Sequence, residues 1–205
     1  MIRAGGQRTR VAMNCSGKHA GMLATSVVNG WPIESYRDPD HPTQRAILST
    51  IDDLADERAS HLAVDGCGAP LFAISLSGLA RAFGRIAAAT QGPERQLAKA
   101  IRSHPEWTSG TRRDELQLHR AVPGLVGKAG AESVYAVGLP DGRGVALKIS
   151  DGHPRARAVA MAGVLLRLGL DAPTLLAQAS APVLGHGERV GEIRPVAASL
   201  ARLGG

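Results

Sequence analysis

Apolar residues along this chain recur first at helical spacing, then at strand alternation, then at helical spacing again. Residues 17–29 are rich in small side chains and stop at Gly30, which predicts a helix whose start Asn14 or Ser16 caps. Residues 31–42 form a turn-rich connector. Asp40-His41-Pro42 then opens an amphipathic helix with Ile47, Ile51 and Leu54 on one face. His61-Leu62-Ala63-Val64 reads as a short strand that delivers Asp65 and Cys67 into a Gly-Cys-Gly-Ala-Pro turn. Residues 76–89 predict a helix with Leu79, Phe83 and Ile86 on one face, and residues 93–104 predict another.

After Pro123 the period shortens. Residues 125–128, 133–139 and 144–149 are β-type runs separated by Gly or Pro-Asp-Gly turns, the pattern of an antiparallel meander. Residues 155–168 return to helical spacing, with Val159, Val164, Leu165 and Leu168 available for packing, and residues 187–196 add a final strand. Helices, then adjacent strands, then a helix predict an α+β layer architecture rather than alternating βαβ units.

At 205 residues, 44% of them hydrophobic, the chain is long enough for a single domain with a core. No apolar run approaches the roughly 18 residues a membrane span needs, and the arginine-bearing N-terminus lacks the apolar stretch of a secretory signal. Two cysteines make no disulfide framework, so reduced thiols and a cytoplasmic location are expected. The net charge of +6 raises nucleic-acid binding, but the arginines are scattered and aromatics are only 3% of residues, too few for stacking platforms. Neither nucleic acid nor membrane is an expected partner.

The two cysteines carry the most chemistry. Cys15 lies in Asn14-Cys15-Ser16-Gly17-Lys18-His19 and Cys67 in Asp65-Gly66-Cys67-Gly68-Ala69-Pro70. Cys15 and Lys18 share a face of a first helical turn, where the helix N-terminus and a neighbouring cation favour a thiolate. A metal or desolvation could hold Lys18 neutral near pH 7, as a base or a ligand. Two thiolates meeting through the glycine turn suit zinc. Spacing alone also fits two small residues packed in a core. Asp65 could orient a substrate ammonium or a lysine, although an aspartate before glycine is of a type that shapes turns. His19 could donate to a ligand, although a lone histidine near a helix start is of a type held by structural hydrogen bonds. Lys128 sits between glycines at a strand end, whereas Lys148 alternates with apolar residues as an outward strand lysine. Ser-x-x-Lys, Gly-x-Ser-x-Gly, His-Glu-x-x-His and phosphate-binding glycine loops are all missing from the sequence.

The blocks Asn14-Cys-Ser-Gly-Lys-His-Ala-Gly-Met-Leu23, Asp38-Pro-Asp-His-Pro42, Asp65-Gly-Cys-Gly-Ala-Pro70, His104-Pro-Glu106, Val126-Gly-Lys-Ala-Gly-Ala131 and Leu147-Lys-Ile-Ser-Asp-Gly152 resemble the asparaginase II family, in the family's order. That resemblance implies a serine β-lactamase-like fold, with helices on a mostly antiparallel sheet, and hydrolysis of the asparagine side-chain amide to aspartate and ammonia. It implies a zinc site at Cys15, Lys18 and Cys67, substrate contacts at His19 and Asp65, and a catalytic role for Lys128. L-asparagine is the implied small-molecule partner, with a homodimer left open. Gly110-Thr-Arg-Arg113 departs from the glycine that members carry before the arginine. Members also carry their nucleophilic serines and Ser-x-x-Lys upstream of the Cys-Ser-Gly-Lys block, and residues 1–6 here resemble the helix end preceding it. The expectation is therefore a C-terminal portion of an asparaginase II-type domain over residues 1–205, holding metal site and lysine without a nucleophile and inactive alone. The alternative is a non-catalytic module that binds metal or asparagine.

Overall fold

A computed structural model describes residues 5–202. Most of the stretch read as a helix end, residues 1–4, lies outside the described residues. The chain divides into two compact units, one of residues 1–53 and 57–74 and the other of residues 54–56 and 75–205.

The first unit holds α1 (Ser16–Val28), all but the last two residues of α2 (Pro42–Ala55), and an antiparallel hairpin of β1 (His61–Val64) and β2 (Pro70–Ala73). Cys15, not Asn14 or Ser16, occupies the N-cap of α1, and no side chain caps it. The Asn14 amide is drawn instead to Cys15 Sγ at 3.5 Å, which takes it out of capping reach. Gly30 closes the helix as expected, at φ +68°, a conformation that glycine adopts without strain. α2 opens at His41-Pro42 because the His41 ring accepts from Thr43 N at 3.1 Å while its Nε2 meets the Pro32 carbonyl at 2.8 Å.

This unit buries polar groups where the sequence pattern pointed to an aliphatic stripe. His41, Thr43 and Gln44 are buried, whereas Ile47, Ile51 and Leu54 are half-buried. The polar groups are paired: Ser26 Oγ meets Thr43 Oγ1 at 2.8 Å, and Gln44 Nε2 donates to the Tyr36 carbonyl at 2.7 Å. Each such bond offsets the cost of desolvating its partners. The strand β2 carries no alternating signal of its own; pairing with β1 across the Asp65–Ala69 loop makes it a strand.

In the second unit, α3 (Leu76–Ala88), α4 (Gly92–Ser103), α5 (Pro105–Ser109) and α6 (Asp114–Ala121) precede β3 (Val126–Ala129), β4 (Val134–Gly138) and β5 (Gly144–Lys148). Then follow α7 (Arg157–Arg167), α8 (Pro173–Gln178), the hairpin β6 (Ala181–Gly185) and β7 (Glu188–Ile193), and α9 (Ala197–Leu200). The predicted meander is present: β3, β4 and β5 pair antiparallel in sequence order. The predicted last strand is β7, and its partner β6 is decided by that pairing.

Helices pack on both faces of the meander. Tyr135 and Val137 of β4 join Met161 and Leu165 of α7 in the main core. Gly138, on the opposite face by alternation, meets α3. The deepest contacts of α3 come from Gly78, Ala82, Gly84 and Ala87, while the expected face of Leu79, Phe83 and Ile86 is half-buried beside them. A Cβ at Gly138 would stand 1.9 Å from the Phe83 carbonyl oxygen, and one at Gly144 1.8 Å from that of Ala80. Bare glycine backbone lets helix and sheet approach this closely. Short or polar elements escaped the periodicity: α5 has five residues, and α6 buries Glu115 beside Leu116 and Leu118.

Candidate functional site

The N-terminus of α1 and the loop of the β1–β2 hairpin meet in the first unit. The loop is tight: Asp65 N donates to Ala69 O at 2.9 Å, and Gly68 N, at φ +81°, donates to Asp65 O at 2.8 Å. It turns the Asp65 carboxylate and the Cys67 thiol toward α1. Lys18 Nζ pairs with Asp65 Oδ2 at 2.7 Å. One ligand atom each from Cys15, Asp65 and Cys67 lies within 4.8 Å of the others. Both thiols are unbridged and half-buried.

Burial alone would lower the pKa of Lys18, but hydrogen bonds to Asp65 and Cys67 outweigh it and raise the pKa above the ordinary lysine value. The same Lys18 bond holds the Asp65 carboxyl below its ordinary value. The neutral Lys18 that desolvation could produce is therefore not the state of this site as it stands; the ammonium is held by its partners. A metal would have to displace that proton before the amine could ligate it.

The donor set fits zinc. Zn–S arms of about 2.3 Å at tetrahedral angles put two sulfurs about 3.8 Å apart, so a cluster within 4.8 Å closes by small side-chain adjustments. Two thiols supply soft donors and Asp65 a hard oxygen donor, both kinds that zinc takes. The carboxylate is the addition: the metal set implied by the resemblance is Cys15, Lys18 and Cys67, and the hairpin brings Asp65 to the cysteines as well.

The chain belongs to the L-asparaginase II family. The family model, L-asparaginase II, matches residues 1–195, which takes in this cluster and most of the second unit. No curated protein matches the chain.

Of the residues picked out for this L-asparaginase II member, the structure brings Cys15, Lys18, Asp65 and Cys67 together. His19 follows Lys18 on α1 but faces inward. Its Nδ1 lies 2.6 Å from Tyr36 Oη, the two rings stand edge to face, and its Nε2 is buried with no partner among the described residues. Lys128 belongs to the second unit, on β3 opposite Ala136, where its ammonium donates to the Ala129 carbonyl. Lys148 is exposed and donates to the carbonyls of Glu132 and Ile149 at 2.7 Å each. Sequence reasoning missed Tyr36. Its one signal was being one of only two tyrosines in the chain, set in a polar connector.

Proposed function

We propose that this chain is the metal-and-lysine portion of an L-asparaginase, acting on the side-chain amide of asparagine to give aspartate and ammonia. The observation that carries the proposal is the convergence of Cys15, Lys18, Asp65 and Cys67, within a chain that the L-asparaginase II model matches over residues 1–195. In this proposal Cys15, Lys18 and Cys67 hold a zinc ion, with Asp65 beside them. When bound, the ion supplies a fixed positive charge that orders this wall of the site.

The chain's own residues do the rest. Asp65 stands beside the cysteines as a carboxylate that can accept from the substrate's α-ammonium. His19 has a buried ring nitrogen with no partner among the described residues, the kind of atom that calls for one, and Tyr36 fixes its ring. Lys128 is the catalytic lysine in this proposal, and a serine β-lactamase-like layering is the fold this implies. A helix–sheet–helix arrangement of α3, the meander and α7 supports that layering.

No serine in the sequence has a lysine three residues on, so activation of a nucleophile by Ser-x-x-Lys is unavailable within these residues. Residues 1–205 alone should therefore release little ammonia from asparagine. The same fact favours a second reading, a non-catalytic module that binds metal and asparagine. Metal analysis and calorimetry on purified 1–205 test both. One zinc per chain, lost in Cys15→Ser and Cys67→Ser, is expected. Ammonia release that disappears in Lys128→Ala would overturn the claim of a missing nucleophile. Tight asparagine binding without turnover, even when a Ser-x-x-Lys segment is supplied, would favour the binding module.

A further inference from the structure

We infer that His119 is a positioning residue, its neutral imidazole bridging α6 to the open edge of β3 and so fixing the backbone that carries Lys128. The inference deepens the proposal above, since it rests on Lys128 serving amide hydrolysis. His119 Nδ1 lies 2.7 Å from the Glu115 carbonyl oxygen, which can only accept, so Nδ1 carries the proton. Its Nε2 lies 3.0 Å from Gly127 N, which can only donate, so Nε2 carries the lone pair. One tautomer of the neutral ring satisfies both bonds, and the imidazolium satisfies only one.

The place of this bridge gives it leverage. Among the described residues β3 pairs with β4 alone, so its other edge is open. The Gly127 N–H points out of that edge, and the His119 ring stands where a neighbouring strand would offer a carbonyl. Gly127 is tightly set, since a Cβ there would lie 3.3 Å from both Leu125 and Val137 side chains. Lys128 is the next residue, so the orientation of its side chain follows from this peptide.

Protonation of the ring would set a second N–H against the Gly127 N–H and break the bridge. Burial lowers the His119 pKa, against a smaller opposing effect of the Glu115 carbonyl, so the ring is neutral at pH 7. Glu106 of α5, Lys128 of β3 and Arg157 of α7 are charged groups on elements that meet α6, while α8 carries none. On α6 itself Asp114 and Glu115 are engaged with Arg157 of α7, Arg113 at its N-cap pairs with Glu115 at 3.6 Å, and Arg120 lies in its last turn.

The test is NMR on the full 1–205 chain. Imidazole nitrogen shifts should show the Nδ1–H tautomer of His119 at pH 7.5. As pH falls, the Gly127 and Lys128 amides should shift with the same midpoint as the His119 ring. In His119→Phe the Gly127 amide should exchange about tenfold faster, and His119→Gln, whose amide oxygen can accept, should restore most of the protection. A protonated Nε2 at pH 7.5, independent midpoints, or Gly127 exchange within twofold of wild type in His119→Phe would each overturn the inference. If His119→Phe does not fold, the wild-type tautomer and midpoints decide. Zinc content should be unchanged in both variants, so loss of the asparaginase proposal, read by zinc and ammonia, is distinguishable from loss of this one.

Discussion

Replacing Gly144 by alanine should unseat α3 from the meander that carries Lys128. The added methyl would stand 1.8 Å from the Ala80 carbonyl oxygen and 2.6 Å from its carbon. Ordinary contact begins at 3.4 Å, so the helix must lift by about 1.6 Å or the strand must sink. Neither yields easily, because the obstacle is helix backbone and the other face of the sheet rests on the main core. Overpacking against mobile side chains costs roughly 1–3 kcal/mol, and a clash with backbone belongs at or above the top of that range. Restricting the unfolded chain returns only about 0.4–1 kcal/mol. A net loss of about 2–3 kcal/mol would lower Tm by roughly 5–10 °C in a chain of this size. Thermal unfolding followed by far-UV circular dichroism measures it. Gly17→Ala is the control, on α1 with nothing within 4 Å of the new methyl, and should be neutral or slightly stabilising. A Tm for Gly144→Ala within about 2 °C of wild type would refute the close-packing argument.

Three further outcomes are expected. Arg157→Ala removes the cation that sits 2.6 Å from Asp114 and over the Tyr135 ring, and should cost about 3 kcal/mol in urea unfolding by leaving the half-buried Asp114 carboxylate without its partner. Glu115 is fully buried, and burial raises its pKa above the ordinary value, helped by the proton it shares with Asp114. Its folded form thus keeps a proton the unfolded chain loses, so stability it contributes at acid pH is lost as pH rises above about 4.5, and Glu115→Gln should flatten that decline in a pH series of urea midpoints. His119 is the opposite case: its lowered pKa means stability present above pH about 6.5 and lost below it, a loss that His119→Gln should remove in the same series.

The sequence by itself determined the segments whose period is strong. The meander, the helix opened by His41-Pro42, and the Gly30 stop were legible because alternation, a proline and a glycine act locally. Cys15, Lys18 and Cys67 were legible as chemistry because titratable groups sat among glycines. Tertiary structure decided the rest. It brought Asp65 to Lys18, because only the β1–β2 hairpin sets the carboxylate of residue 65 at 2.7 Å from an ammonium 47 positions away. It made β2 and β6 strands by giving each a partner. It buried Gln44 and Glu115, which no hydrophobic pattern marks, because their hydrogen bonds and ion pairs come from other elements. It also put His119 against Gly127, a contact that exists only once α6 lies along the edge of β3. Local propensity reads from neighbours in the chain, whereas pairing and burial depend on groups that folding alone makes neighbours.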